Sequence, residues 1–128
     1  MNKKALQIPN APAPIGPYSQ AVIANGFLFA SGQVAFDPKT GALVLSDIAS
    51  ETKQVMENIK SILEAAELTF AHVIKTTIFL SDMGLFAQVN EVYGSYFSKD
   101  FPARETVAVK TLPRNVNIEI SITAVLTL

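Results

Sequence analysis

The sequence contains no cysteine, no tryptophan and a single histidine, His72. Without thiols there are no disulfides, no thiolate metal sites and no cysteine nucleophile. One imidazole leaves little material for a multi-histidine zinc centre or a Ser-His-Asp relay. Charge is also scarce: 16% of residues are Asp, Glu, Lys or Arg, against about 25% in ordinary globular chains. The net charge of −1 offers no basic footprint to neutralise phosphates, so nucleic acid is not an expected partner.

The charges present are unevenly spread. None lies between Lys4 and Asp37, and after Arg114 only Glu119 is charged. The uncharged tract 5–36 holds four prolines and three glycines, so it is not a ~20-residue apolar span. Lys3-Lys4 is followed by no compact apolar run of the signal-peptide kind. The expectation is a soluble, cytoplasmic protein without a membrane partner. Its 128 residues suit one domain, 1–128, and hydrophobic residues at 49% exclude whole-chain disorder. A chain of this mass can bury about two-thirds of its surface.

Pro9, Pro12, Pro14 and Pro17 fix φ and remove donors, which predicts an extended or turning lead-in over 9–17. Asn25-Gly26, between apolar runs 20–24 and 27–31, is the dipeptide of a type I′ hairpin turn. A turn follows at Asp37-Pro38-Lys39-Thr40-Gly41, with a short edge strand predicted over 42–45. From Asp47, a capping residue, Ile48, Thr52, Val55, Met56, Ile59, Ile62, Leu63 and Ala66 recur at helical spacing. Glu51, Lys53, Glu57, Lys60 and Glu64 fall outside that stripe.

Residues 73–81 read as a strand apolar in both alternations except at Lys75, and Asp82 as the cap of a second helix burying Phe86, Val89, Tyr93 and Phe97. Two further strands, 105–109 and 117–126, complete an α+β fold with a mixed β-sheet and both helices packed on one face. In the last strand Ile118, Ile120, Ile122, Ala124 and Leu126 suit the helices. Opposite them stand Glu119, Ser121, Thr123 and Thr127. That second face is too poor in charge for a freely solvated sheet and too rich in hydroxyls for a dry core, which suggests contact with other subunits.

Several residues could carry chemistry. Arg104, between a Pro loop and a strand, either presents its planar donors to a carboxylate or pairs with Glu105 or Asp100. Glu119, between two isoleucines, is either a partly desolvated proton carrier or half of a structural ion pair. Gly32 either lets a backbone N–H approach an anion or merely ends a strand. Tyr18 and Asn90 can line a pocket or, respectively, pack as an aromatic and mark a helix boundary. Ser31 has no His or Lys partner to activate it as a nucleophile, and His72 reads as a surface loop residue.

Seven segments, GPYSQAV (16–22), FASGQ (29–33), ETKQVMENIKSILEAA (51–66), VIKTTIFLSDM (73–83), VNEVYGSYF (89–97), PARETVAVKTLP (102–113) and IEISITAV (118–125), resemble the RidA (YjgF-type) reactive-intermediate deaminase family. The resemblance runs in order over essentially the whole chain. It implies a chorismate-mutase-like (bacillus type) single domain, assembled as a homotrimer with a central β-barrel and sites at subunit interfaces. The implied activity is hydrolysis of 2-iminobutanoate and 2-iminopropanoate, or their enamines, to 2-oxo acids and ammonia, with no cofactor or metal.

By the same resemblance Arg104 holds the substrate carboxylate and Glu119 positions or activates water. Tyr18, Ser31, Gly32, Asn90 and Thr106 match pocket positions. Thr106 stands where many members carry Cys, which bears on substrate preference. Two other classes of function compete: a non-catalytic trimer that binds 2-oxo acids or other carboxylates for regulation, and an RNA-cleaving or chaperone-like protein.

Overall fold

Six strands and two helices make up the computed structural model, which describes residues 2–128. In chain order they are β1 (Lys3–Leu6), β2 (Ala21–Ala24), β3 (Phe27–Ala30), α1 (Ile48–Ala65), β4 (Val73–Leu80), α2 (Phe86–Gly94), β5 (Ala103–Ala108) and β6 (Ile118–Val125). β1 is not among the predicted strands; it is four residues long, begins with two lysines and lies at the sheet edge. The predicted strand over 42–45 is reduced to one bridge, Phe36 to Leu43. Asn25 and Gly26 take positive φ of 52° and 83°, as their hairpin turn requires.

The sheet runs β1-β2-β3-β6-β4-β5, with only β4 and β5 parallel. It is mixed and carries both helices, as expected. The expected central β-barrel is overturned, for the sheet is open, with β1 and β5 as separate edges. The hairpin adds strands outward from β3 while the α2 crossover adds β5 outward from β4. Growth in opposite directions keeps the two edges apart, and closure needs them to meet.

Asp47 caps α1 by accepting from the Ser50 N–H at 2.7 Å. Val55, Met56, Ile59, Ile62 and Leu63 of α1 are buried against Leu28, Ile78, Leu80, Ile118, Ile120 and Ala124. Each such aliphatic side chain contributes about 1.5–3 kcal/mol by leaving water. Asp82 caps a single 3-10 turn over Met83–Leu85, from which α2 begins, rather than the helix itself.

Glu51 departs from its predicted outward position and is fully buried. Its two carboxylate oxygens accept from the Asn117 backbone N–H at 2.8 Å and side-chain amide at 2.9 Å, while Asn117 Oδ1 accepts from Ser81 Oγ at 3.0 Å. A buried carboxylate is tolerable only when its lone pairs are met this way. The contact ties α1 to the start of β6, two residues before Glu119. No described helix is long and apolar enough to cross a membrane.

Candidate functional site

Glu119 faces away from the helices: it pairs in register with Phe79 of β4, and its neighbours Ile118 and Ile120 point into the core. Beyond β3 the chain stays beside β6, because Gln33 and Ile120 exchange backbone hydrogen bonds at 2.8 and 3.1 Å. This lays Gly32 directly under Glu119. A Cβ at Gly32 would stand 2.8 Å from Glu119 Cδ and 3.0 Å from Cγ, so only hydrogen leaves room for the carboxylate. Ser31 Oγ donates to the Ser19 carbonyl at 2.6 Å, which occupies its proton and agrees with its lack of a nucleophile's partner.

The Pro-rich lead-in is held by buried Gln20. Its Oε1 accepts from the Ile8 N–H at 2.7 Å, and its Nε2 donates to the carbonyls of Ile8, Ala11 and Pro12 at 3.1, 3.3 and 2.8 Å. The lead-in thereby roofs a cavity of about 580 Å³ whose lining includes Tyr18, Ser31, Gly32, Gln33, Arg114 and Glu119. Burial pushes the Glu119 carboxyl above its ordinary value of 4.5, with no cation offsetting the shift. The structural ion pair that the sequence also allowed is therefore not formed: Lys75–Glu105, at 3.1 Å, is the ion pair among the described residues.

Arg104 lies elsewhere. It pairs in register with Thr76, whose buried hydroxyl shares a 2.9 Å hydrogen bond with Tyr93 of α2, so Arg104 faces the helix side of the sheet. Its Nη1 donates to Asn90 Oδ1 at 2.6 Å, and its guanidinium carbon sits 5.4 and 5.1 Å from the ring centres of Phe86 and Tyr93. Neither Glu105 nor Asp100 holds it, since Glu105 is engaged by Lys75 and Thr77. Aromatic faces and one amide fix the guanidinium while leaving donors free. Thr106, two residues on, shares this face, and its buried Oγ1 has no hydrogen-bond partner among the described residues. Asn90, Tyr93, Gly94, Phe101, Pro102 and Arg104 line a second cavity, of about 500 Å³.

Within one chain the predicted residues thus form two groups. Tyr18, Ser31, Gly32 and Glu119 gather on one sheet face; Asn90, Arg104 and Thr106 gather on the other, at the β5 edge. Gln33, the last residue of the FASGQ motif, lines the first cavity too, whereas Phe36 and Arg114 are not among the residues the sequence singles out. Only the position of Arg114 in the Pro-Arg-Asn turn just before β6 hinted at it.

The raised Glu119 carboxyl has a consequence for stability. Its folded value exceeds its unfolded one, so the contribution is fully present below the unfolded value and is lost as pH rises through the folded value. Glu119→Gln is therefore expected to raise the melting temperature at pH 7 to 8, with the difference narrowing as pH falls toward 4.5. Thermal scans of both proteins across that window check it. A melting-temperature difference constant with pH contradicts the burial argument.

A family model described as Endoribonuclease L-PSP matches residues 8–126. The chain is 54% identical over 118 residues to a RutC family protein of Pyrococcus horikoshii, covering 92% of this chain and 94% of the relative. It is 42% identical over 123 residues to the 2-iminobutanoate/2-iminopropanoate deaminase of Homo sapiens, covering 96% and 90%. The crystal structure of the YjgF gene product from E. coli superposes with a TM-score of 0.91 at 42% identity, covering 95% of this chain and 98% of that one.

Proposed function

Since the chain belongs to the RidA/YjgF family, we propose that it hydrolyses the C=N bond of reactive 2-imino acids and their enamine tautomers, with 2-iminobutanoate and 2-iminopropanoate as substrates. The observation that carries this is Glu119, a half-buried carboxylate with a raised pKa, set over Gly32 at the floor of a cavity. Imine hydrolysis asks for little more than that. Water adds to C2, its proton passing to Glu119; the amine nitrogen is then protonated and leaves as ammonia, and the 2-oxo acid remains. No covalent nucleophile is involved, in keeping with the engaged Ser31 hydroxyl. Glu119 acts as base when ionised and as acid when protonated, which a carboxyl shifted toward neutrality does best.

Carboxylate orientation falls to Arg104. Because it and Glu119 occupy opposite sheet faces, the proposed site is shared: a homotrimer in which Arg104, Asn90 and Thr106 of one copy meet Tyr18, Ser31, Gly32 and Glu119 of the next. The open sheet face supports such contact, since Phe29 and Val107, in register with Thr123 and Phe79 on the Glu119 side, are exposed large hydrophobics. An RNA substrate is disfavoured by the net charge of −1.

The direct test generates 2-aminocrotonate from threonine with a dehydratase and times the release of 2-oxobutanoate. Wild-type protein is expected to shorten the imine's lifetime, with an acid limb of kcat/KM above the ordinary carboxylate value. No acceleration at any protein concentration, together with 2-oxobutanoate binding by calorimetry, would favour the regulatory carboxylate-binding reading instead.

A further inference from the structure

The cavity over Glu119 contains a cation that the proposed reaction does not use. Pro113, Arg114 and Asn115 form a single turn leading into β6, and both Arg114 and Asn115 have left-handed backbones, with φ of 63° and 56°. That conformation is unfavourable for an L-residue such as arginine, and such residues concentrate at functional sites. The turn lays the Arg114 guanidinium over the Phe36 ring, 4.8 Å from its centre. Phe36 and Arg114 line the same cavity as Glu119 and Gly32.

Arg114 has no carboxylate partner among the described residues, where the ion pair is Lys75–Glu105. Glu119 in particular is not that partner, because its upward shift carries no lowering contribution from a cation. The guanidinium is thus held by an aromatic face, with its planar donors uncommitted. Stacking restricts the side chain before any ligand arrives, which lowers the entropy lost on forming a bidentate contact.

We propose that Arg114 is a second carboxylate-binding group, and that the cavity takes dicarboxylic 2-imino acids, of the 2-iminosuccinate and 2-iminoglutarate class. This rests on the deaminase reading. The α-carboxylate sits on Arg104 of a neighbouring copy, the imine carbon faces Glu119, and the side-chain carboxylate reaches Arg114. A second negative charge near an ionised Glu119 is repelled unless a cation meets it, and Arg114 supplies that cation. The hydrolysis is unchanged: water adds to C2, ammonia leaves, and the distal carboxylate passes through intact. A cavity of about 580 Å³ accommodates a four- or five-carbon acid.

The test compares kcat/KM for 2-iminosuccinate, made in situ from aspartate by an amino-acid oxidase, with that for 2-iminobutanoate. In Arg114→Gln the ratio of dicarboxylic to monocarboxylic kcat/KM is expected to fall tenfold or more, and in Arg114→Lys, which keeps the charge without the stacked planar donors, to fall between wild type and Arg114→Gln. An unchanged ratio in Arg114→Gln overturns the proposal. Calorimetry with 2-oxoglutarate and 2-oxobutanoate gives a readout that needs no turnover. Tighter binding of 2-oxoglutarate that Arg114→Gln abolishes supports the subsite even if no imine is hydrolysed, in which case the deaminase reading alone fails. Imine turnover with no Arg114-dependent preference sinks the subsite alone.

Discussion

Replacing Arg104 by alanine is expected to lower kcat/KM for 2-iminobutanoate by about a thousandfold, the scale on which positioning and charge-stabilising groups act. The guanidinium is fixed by Asn90, Phe86 and Tyr93 while its remaining donors are free, so a substrate carboxylate docked there is both bound and aimed. Its removal takes away both effects together. The fold should tolerate the change, for exposed cation–π contacts contribute only about 0.5–1 kcal/mol each. Arg104→Lys keeps the charge without the planar donor set and should fall between wild type and alanine.

The same variant tests where the site lies. Glu119→Gln and Arg104→Ala chains, each inactive alone, should recover activity when refolded together, because some interfaces then combine an intact Arg104 with an intact Glu119. Random assembly leaves about a quarter of the interfaces complete. Absence of any recovery, with mixed oligomers demonstrated, would place the whole reaction within one chain and contradict the shared site.

Gly32→Ala is the second substitution expected to act strongly, with a loss of about a hundredfold in kcat, the order a misplacement near 1 Å can produce. The Cβ would lie 2.8 Å from Glu119 Cδ and 3.0 Å from Cγ, so the carboxylate must swing away from the cavity floor. The swing is feasible for a half-buried side chain, and the melting temperature should change little. A displaced carboxylate is better solvated, so the acid limb of the pH profile should move down toward the ordinary carboxylate value. Wild-type kcat with an unmoved acid limb would show that Gly32 merely ends its strand.

Much of the fold is legible from local chemistry. The Asn25-Gly26 hairpin, the Asp47 cap and the 3/4-spaced stripe of α1 depend on neighbours a few residues apart, and the structure has each of them. Glu51 was misplaced because its partner, Asn117, lies 66 residues away. A buried acid in a helix looks like a solvated one until the strand that meets its oxygens is known. β1 was missed for a related reason: Lys3–Leu6 becomes a strand by pairing with β2, and a short, charged edge strand carries almost no signal of its own.

The candidate site divides in the same way. The sequence by itself determined the isolation of Glu119, the last charge in the chain, and the setting of Arg104 after a proline loop. The family motifs pointed to both residues. Only the tertiary structure decided that they face opposite sides of the sheet, that the sheet stays open, and that Arg114 enters the Glu119 cavity. Alternation along a strand assigns residues to faces only relative to one another, whereas which face receives the helices depends on register between strands far apart in sequence. Side-chain type and spacing are local properties; the company a side chain keeps is set by packing.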